Sequence, residues 1–461
     1  MTKDRKKVLL INPPETEQGG FSGPPLGLLY LAGALLKEGI KVEIIDGCLD
    51  GWQKTEEKIK NYKPDIVGIT CLTPGRKKSL RVAKIAKEKN KNPLVVMGGV
   101  HPTIMHRQLL ENYPFVDICV LGEGEKTLIE IAQGKKLEEI EGISFRQKNR
   151  IILTPPRKYI ENLDEIPFPA WHLIDISKYP ARGKEIFNGI DLLREPRVSI
   201  IFSRGCIGQC TFCSSWWIWR GWRHRSAKNM ADEIEMLNKK FKISHFCFAD
   251  DTLTVDKQSI LNLCDEIIKR KLKIAFHITT RVDCVDKEML GKLKNAGCYN
   301  IAYGIETGSE KLLQQMNKKT AVETSKKAIS LTRQAGIKPT ILLIAGSVGE
   351  TEETINQTID FLKEMDIKKD EIGSVGGLWI LPGTKLYFDC QKSGFINDDF
   401  WLGDKPYKIY TQEHSKLFLS IFNFAIRTKR RLSKNKFINL IKTAPFLVKN
   451  WLRENIKIHA R

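Results

Sequence analysis

Short apolar runs alternate with amphipathic segments along the first 135 residues. Nearly continuous apolar runs predict five strands, at 8–12, 42–46, 66–70, 94–97 and 118–121. Apolar residues repeated every three or four positions predict helices at 26–37, 76–89 and 103–111. Strands that are apolar throughout are buried on both faces, so the alternation predicts an α/β fold with a doubly wound, flavodoxin- or Rossmann-like parallel sheet.

A second alternating region follows. Its predicted strands lie at 198–203, 246–249, 274–279, 300–304, 340–345 and 377–381. Helical patterns between them, at 227–240, 287–295 and 320–335, complete six strand–helix units, which predict a partial (β/α)6 barrel. Proline-rich residues between the regions predict a linker, and the end of the chain predicts helices. The predicted domains are therefore 1–140, 141–195, 196–385 and 386–461.

Glycine and other small residues follow the strands of the first region. Glycine lets a backbone approach a ligand closely, and ligands of doubly wound sheets bind at the carboxyl ends of the strands. The loops that follow the predicted strands therefore predict one broad ligand cavity, although ordinary tight turns would use the same residues.

Three of the eleven cysteines are clustered, at Cys206, Cys210 and Cys213, directly after the first strand of the second region. Three thiolates can hold three irons of a cubane cluster and leave the fourth iron open. Zinc is an alternative, with Cys247 or His224 as a fourth ligand. The other cysteines are scattered in apolar segments, and no secretion signal is recognisable, so we expect a reducing, cytoplasmic compartment.

About half of the net charge of +21 comes from the C-terminal region, where residues 415–461 carry twelve Lys or Arg and one acidic residue. This basic, aromatic segment could contact an anionic membrane surface peripherally, or it could be a helical cap with a solvated cationic face. No apolar stretch approaches the ~20 residues needed to cross a bilayer. Nucleic-acid binding is disfavoured because no RNA-binding module is recognisable.

The cysteine loop resembles the signature of the radical SAM superfamily, in which an aromatic residue, here Phe212, precedes the last cysteine. Further matches end successive predicted strands, at 248–251, 280–283, 303–309, 344–347 and 378–383. The resemblance implies a [4Fe-4S] cluster on the three cysteines and an external electron donor, a flavodoxin or ferredoxin. It also implies S-adenosylmethionine (SAM) contacts from Phe212, Asp250, Arg281, Glu306, Ser347 and Leu381.

The first region resembles the cobalamin-binding domain of the B12-binding (class B) subfamily in the sequences PLGLLYLA, GGVHPT and GEGE. The resemblance implies cobalamin contacts from Ser22, Gly23, Pro25, Leu26, Thr70, Leu72, Thr73, Gly98, Gly99, Val100, His101, Gly122, Glu123 and Gly124. The D-x-H-x-x-G motif that supplies a cobalt ligand in B12 mutases is absent. Residues 72–76 could instead lie below the cobalt, and His101 on its own is explained more simply as a hydrogen-bonding loop residue.

These resemblances imply an enzyme that cleaves SAM reductively and methylates an unactivated carbon of a lipid or other small molecule. Alternatives are a cyclase, oxidase or carbon–carbon coupling enzyme with passive or absent cobalamin, and a non-enzymatic iron–sulfur redox sensor. Four tryptophans after the cysteine loop could line a substrate cavity or pack that loop against the linker: Trp216, Trp217, Trp219 and Trp222.

Overall fold

A computed structural model describes residues 6–15, 23–90, 92–148, 150–181, 183 and 185–432. The first sheet has the strand order β2-β1-β3-β4-β5-β6-β7, and its first five strands are parallel. In chain order, its elements are β1 (Lys7–Asn12), α1 (Leu26–Lys37), β2 (Lys41–Asp46), α2 (Gly47–Tyr62), β3 (Ile66–Thr70), α3 (Arg76–Lys89), β4 (Leu94–Gly98), α4 (Val100–Asn112), β5 (Ile118–Val120), α5 (Glu125–Ala132), β6 (Ile143–Gln147) and β7 (Arg150–Leu153). The predicted doubly wound sheet is confirmed.

The alternation of side chains along β1 shows why this sheet is covered on both faces. Val8 and Leu10 belong to one apolar cluster together with side chains of α1 and α5. Leu9 and Ile11 belong to another, with side chains of α2 and α3. Successive residues of a strand point to opposite faces, so an uninterrupted apolar run stabilises helices on both sides.

The predicted linker at 141–195 is only partly irregular. Its first residues form β6 and β7, an antiparallel hairpin that extends the first sheet beyond β5. The prediction that residues 141–195 are irregular throughout was wrong for these two strands. They are short and half polar, unlike the apolar runs that mark the central strands. The remaining linker crosses α1, where Ala170 N donates to Leu29 O. It also contains a short hairpin of β8 (Ile186–Phe187) and β9 (Ile190–Asp191).

The second sheet contains six parallel strands in the order β10-β13-β14-β15-β16-β17. The described residues show no pairing between β10 and β17, so the predicted partial barrel is confirmed. Its elements are β10 (Arg197–Ile200), β11 (Ser203–Gly205), α6 (Ser215–Trp219), β12 (Trp222–His224), α7 (Ala227–Phe241), β13 (His245–Phe248), α8 (Lys257–Lys269), β14 (Ala275–Thr280), α9 (Lys287–Ala296), β15 (Cys298–Glu306), α10 (Glu310–Gln315), α11 (Val322–Gln334), β16 (Lys338–Ala345), α12 (Glu352–Glu364) and β17 (Ile372–Gly377).

The last predicted strand of the barrel, at 377–381, was placed too late. The sheet strand is β17, and the apolar run after it forms β18 (Trp379–Ile380), followed by α13 (Lys385–Lys392), β19 (Lys408–Ile409) and α14 (Lys416–Thr428). Three glycines and a serine make β17 polar and open, so the neighbouring run gave the stronger signal. β18 pairs with β19 instead of with the barrel.

Helix α14 packs on the barrel through Leu419, Phe422 and Ile426, which belong to the same apolar cluster as β15 and β16. The described part of the basic C-terminal region is therefore a cap. The rest of that region lies outside the described residues, and its predicted membrane contact stays a prediction. Among the described helices, none has both the length and the apolar composition that crossing a bilayer requires.

Candidate functional site

The cysteine loop begins directly after β11, at the carboxyl edge of the second sheet. It is fastened by backbone hydrogen bonds on both sides. Thr211 N donates to Met316 O over 2.9 Å, and Leu386 N donates to Thr211 O over 2.9 Å. The side chain of Asn317 donates to Gln209 O over 2.9 Å. Since its backbone is held by these neighbours, the loop presents its three cysteines in a defined arrangement.

Cys206, Cys210 and Cys213 are partly buried, and none of them forms a disulfide. The Sγ of Cys206 lies 3.2 Å from the donating Gly208 N and 3.0 Å from Thr252 Oγ1. Burial raises the pKa of Cys210, and the same effect raises that of Cys213. Hydrogen bonds to thiolate sulfur tune iron–sulfur clusters, so these surroundings fit a cluster ligand set.

The donor set does not fit a single metal ion. Within the part of the chain that is described, no three His, Cys, Asp or Glu side chains converge as ligands of one ion. The candidate fourth zinc ligand His224 is engaged through both ring nitrogens, with Arg225 O at 2.8 Å and Ser259 Oγ at 3.2 Å. Thiolates of a cubane bind different irons and need not converge, so the arrangement favours a cluster over zinc.

Arg281 lies beside the cysteine loop at the carboxyl end of β14. Its Nε and Nη2 donate to the Asp283 carboxylate over 2.9 and 2.8 Å, and Nη2 also donates to Lys318 O over 2.8 Å. A Cβ at Gly208 would lie 2.7 Å from Arg281 Nη1 and 3.4 Å from Cys206 Sγ. Glycine at this position is therefore what lets the guanidinium approach the cluster loop.

Glu306 and Lys318 form a buried ion pair beneath the same loop, with Nζ to Oε1 at 2.7 Å. Glu306 has a positive φ of 67°, which is uncommon for a residue with a side chain. A Cβ at Gly304 would lie 2.5 Å from Glu306 Oε1. Burial opposes the charge on Lys318, but the Glu306 carboxylate and the Cys210 thiol hold its pKa above the usual range. The sequence predicted Glu306 but missed Lys318.

Asp250 and Asp251 differ in what they face. Asp250 is buried, and its carboxylate accepts from Phe202 N at 3.3 Å, from Ser203 Oγ at 2.5 Å and from Ser203 N. Burial raises its pKa to about 7. Asp251 instead lines the cavity between the two sheets. Asp250, the predicted SAM contact, thus holds the turn before the cysteine loop, and the next residue carries the carboxylate that lines the cavity.

Two buried hydroxyls at the carboxyl ends of β15 and β16 lack partners. Ser309 Oγ and Ser347 Oγ form no hydrogen bond within the described part of the chain. A buried polar atom without a partner is costly, so these hydroxyls fit a bound polar ligand such as SAM. Ser347 was predicted from the sequence, whereas Ser309 was not assigned individually.

The other two predicted SAM contacts have partners within the chain. Phe212 packs against the apolar cluster formed by Met105, Leu378, Leu386 and neighbouring side chains. Leu381 is partly buried, and its carbonyl accepts from Thr384 Oγ1 over 2.8 Å. Contacts of these two residues with SAM stay predictions.

A cavity of about 320 Å³ lies between the carboxyl edges of the two sheets. Most of its lining is apolar, and pockets of this size and character bind small molecules. From the second region it is lined by Ile201, Ser203, Gly205 and Asp251, among others. Six of the predicted cobalamin contacts also line it: Thr70, Gly98, Gly99, Gly122, Glu123 and Gly124.

The remaining predicted cobalamin contacts lie elsewhere. Ser22 lies outside the described residues. Gly23 approaches the barrel, since a Cβ there would lie 3.7 Å from Ser199 Oγ. Leu72 is 58% exposed. Five further predicted contacts do not line the cavity and lie just before or at the start of a helix: Pro25, Leu26, Thr73, Val100 and His101.

His101 is fully buried and is not among the residues that line the cavity. Its Nδ1 lies 3.2 Å from Thr73 Oγ1, and its ring packs edge-on against Trp401 with centroids 6.3 Å apart. Arg76, at the end of the segment predicted to lie below the cobalt, donates to the carbonyls of Trp401 and Gly403 over 2.7 and 2.6 Å. These side chains therefore join the first region to the C-terminal segment.

The four tryptophans do not form one wall. Trp219 lines the cavity, whereas Trp217 is 46% exposed and packs edge-on against Phe388. Trp222 donates through Nε1 to Thr252 O over 3.0 Å, which supports the residue that contacts Cys206. Trp216 is partly buried and is not part of the cavity lining. Of the four, Trp219 is the one that lines the cavity.

Two family models match this chain. A model of the B12 binding domain matches residues 17–132, which include the glycine-rich edge of the first sheet. A model of the Radical SAM superfamily matches residues 200–362, which include the cysteine loop and β13 to β16.

The chain also has close relatives in sequence. It is 34% identical over 393 residues to an uncharacterized methyltransferase of Pyrococcus horikoshii, covering 83% of this chain and 82% of the relative. It is 34% identical over 375 residues to the anaerobic magnesium-protoporphyrin IX monomethyl ester cyclase of Rubrivivax gelatinosus, covering 78% of this chain and 66% of the relative.

Solved structures share the fold. The radical S-adenosylmethionine methyltransferase TsrM from Kitasatospora setae, with cobalamin and a [4Fe-4S] cluster bound, matches with a TM-score of 0.68 and 21% identity over 84% of this chain and 75% of that chain. The cobalamin-dependent S-adenosylmethionine radical enzyme OxsB, with aqua-cobalamin bound, matches with a TM-score of 0.75 and 20% identity over 92% of this chain and 66% of that chain. At these identities the likeness concerns the fold alone.

Proposed function

The chain belongs to the B12-binding radical SAM enzymes, and from this premise we propose that it transfers a methyl group to an unactivated carbon of a small-molecule or lipid substrate. The cofactors of the family are a [4Fe-4S] cluster, SAM and cobalamin. When bound, they supply a carbon-centred radical and a methyl group, which is chemistry that side chains alone cannot provide.

One observation carries the proposal: the edges of both sheets line a single cavity. Gly98 and Gly122 line it from the first sheet, and Ser203 and Gly205, which adjoin the cysteine loop, line it from the second. A carbon atom held in this space would lie between the first sheet and the residues that lead into the cysteine loop. Such proximity converts a slow encounter into a positioned reaction.

The protein's own part is binding, orientation and exclusion of water. Arg281 is an always-charged donor beside the cysteine loop and suits the carboxylate of SAM. The buried, unpartnered hydroxyls of Ser309 and Ser347 suit the hydroxyl groups of the same ligand. Apolar side chains of the cavity, such as Ile69 and Val120, exclude water from reactive species.

The cavity also indicates the substrate class. Aliphatic side chains and glycines of the first region form much of its wall, whereas the second region contributes Ser203, Arg204, Trp219 and Asp251 beside Ile201 and Ala249. A largely apolar carbon skeleton could pack against the aliphatic part of this wall without desolvating polar groups. A lipid or isoprenoid is therefore the first class of substrate to screen.

The proposal is tested by anaerobic reconstitution with iron, sulfide and hydroxocobalamin, followed by dithionite in place of the protein electron donor and SAM labelled in its methyl group. We expect both 5′-deoxyadenosine and S-adenosylhomocysteine, and a label in the carbon skeleton of an accepted lipid. Deoxyadenosine without S-adenosylhomocysteine, from protein with bound cobalamin, would overturn methyl transfer. A Cys210→Ala protein treated identically is the control for SAM turnover.

Ring closure is the second candidate, because the relative from Rubrivivax gelatinosus is a cyclase at the same 34% identity as the methyltransferase relative. The two reactions differ in the product. Ring closure leaves the substrate carbon count unchanged and transfers no label, whereas methyl transfer adds one labelled carbon.

A further inference from the structure

A network of buried charges joins the two regions at the cavity wall. Arg204 Nη1 donates to Glu123 Oε1 over 2.7 Å, and Nη2 donates to Glu125 Oε1 over 2.6 Å. Arg223 Nη1 reaches the same Glu123 carboxylate at 3.0 and 3.2 Å and donates to Ile160 O over 2.6 Å. The two carboxylates follow β5 of the first sheet, whereas both guanidinium groups lie on the β11–β12 hairpin.

The network is well shielded from water. The side chains of Arg204, Glu123 and Glu125 are 8%, 4% and 9% exposed. The Arg204 guanidinium lies 5.6 Å from the ring centroid of Tyr30 and 5.8 Å from that of Trp219. Although burial opposes ionisation, Arg204 holds the pKa of Glu125 below its usual range. A buried charge that loses its partner is strongly unfavourable, so these contacts restrict the relative position of the two loops.

The same residues connect the cavity to the cysteine loop. Arg204, Glu123 and Glu125 all line the cavity, and Arg204 is separated from Cys206 only by Gly205. Gly205 has a φ of +97°, and a Cβ there would lie 1.9 Å from Gly221 O. This tight backbone contact leaves little freedom between the guanidinium and the first cluster cysteine.

One acceptor of the network is available to a ligand. Glu125 Oε2 is buried and has no hydrogen-bond partner within the described part of the chain. The periphery of a corrinoid carries carboxamides, whose N–H groups are suitable donors for such an oxygen. A carboxamide of a bound corrinoid would therefore donate a hydrogen bond to the Glu125 carboxylate, which Arg204 already holds.

We propose that Arg204 is a positioning residue that makes cobalamin binding and the conformation of the cluster loop mutually dependent. Cobalamin stabilises the arrangement of Glu123 and Glu125 that holds Arg204, and Arg204 in turn holds the loop on which SAM is bound. Linkage requires the effect to be reciprocal, so SAM strengthens cobalamin binding by the same factor. The proposal requires cobalamin binding but is independent of methyl transfer.

The test measures SAM affinity by equilibrium dialysis of the cluster-loaded, unreduced protein, with and without saturating hydroxocobalamin. No turnover occurs under these conditions, so the result is separate from the proposed reaction. In the unaltered protein we expect hydroxocobalamin to tighten SAM binding at least about five-fold. In Arg204→Gln we expect the ratio of the two affinities to fall to about one. In Arg204→Lys, whose single ammonium lacks the planar fork that reaches Glu123 and Glu125 through separate nitrogens, we expect an intermediate value.

The matched control is Arg270→Gln. Arg270 Nη1 also bridges two carboxylates, those of Asp232 and Glu235 at 2.7 and 3.0 Å, and all three residues belong to the second region. We expect this variant to lose stability while it retains the ratio of affinities. A ratio near one in the unaltered protein, an unaltered ratio in Arg204→Gln, or an equal loss of the ratio in Arg270→Gln would overturn the proposal. If Arg204→Gln fails to retain iron, Arg204→Lys and Glu125→Gln decide in its place.

Discussion

The carboxyl edges of the two sheets are built differently, although they line one cavity. Much of the first edge presents backbone without side chains, through Gly98, Gly99 and Gly122, and its two carboxylates, Glu123 and Glu125, are paired with Arg204 of the second region. The second presents three thiols surrounded by charged side chains that already have partners, such as Arg281 and Lys318. A wide ligand recognised by shape suits the first edge, whereas a small charged ligand beside a cluster suits the second.

This difference has a direct consequence for mutagenesis. At the second edge each charged side chain has a defined partner, so a substitution that removes one side chain leaves the charge of its partner unpaired. At the first edge the space left by missing side chains is itself the feature, so adding one is the damaging change. The comparison fails if both edges respond alike to both kinds of substitution.

The largest effect is expected from removing a cluster thiol. Cys210→Ala leaves one iron without its ligand, so we expect loss of the cluster and of all measurable SAM cleavage. Iron content, the visible absorption of the reconstituted protein and 5′-deoxyadenosine formation measure this. Cys264→Ala is the control, since Cys264 is buried in α8 away from the loop. Retention of the cluster in Cys210→Ala would show that the second edge does not depend on its thiols.

The next largest effect is expected from Lys318→Met. The substitution leaves the Glu306 carboxylate buried without its cation, at a cost of about 3–5 kcal/mol in the free energy of unfolding. We expect a lower apparent Tm and weaker SAM binding, because the pair lies beneath the cysteine loop.

The control is Lys326→Met, which breaks the more exposed pair with Glu364. This variant should change the apparent Tm much less, because a surface ion pair is screened by water. Equal shifts in the two variants would contradict the view that the second edge depends on buried, partnered charges.

A third prediction concerns the first edge. A Cβ at Gly98 meets nothing closer than Val120 Cβ at 3.9 Å, so Gly98→Leu fits the strand and extends into the cavity. We expect hydroxocobalamin affinity to fall by a factor of at least about ten, with iron content unchanged, because the side chain occupies ligand volume. Gly291→Leu, on α9 with no atom within 4 Å of its Cβ, is the control for an added side chain. Unchanged affinity in Gly98→Leu would remove cobalamin from this edge.

Local patterns predicted the sheets, and a few residue types predicted the cluster loop. Apolar runs located the five parallel strands of the first sheet, because burial on both faces leaves that signature. The β6–β7 hairpin was missed, although the polar turn between its strands, at 147–150, is a recognisable signal. Open, glycine-containing β17 gave too weak a pattern to compete with the apolar run after it.

Partnerships across the chain could not be predicted in the same way. Glu123 was predicted to contact cobalamin because of its loop, but its principal partner is Arg204, which lies 81 positions away. Asp250 and Asp251 were indistinguishable as neighbouring acids, and only the fold shows that Asp250 turns back to the amides of Phe202 and Ser203. Such pairings depend on where two regions meet, and local periodicity carries no information about that.

The smallest effect tests whether an ionisable side chain contributes to the first edge. Burial, and then the charge of Arg76, lower the pKa of His101 to about 3, so the folded protein holds the ring neutral. A histidine of the unfolded chain has a pKa near 6.5. Above that pH the neutral His101 ring therefore does not reduce the free energy of unfolding, and below it the free energy of unfolding falls as the pH decreases. By pH 5 the loss is about 2 kcal/mol. His101→Gln should flatten the decline of apparent Tm between pH 7.5 and 5, whereas substitution of the exposed His172 should leave it unchanged. If both variants follow the unaltered protein, burial does not hold the His101 ring neutral, and the first edge carries an unpaired charge beside the paired Glu123 and Glu125.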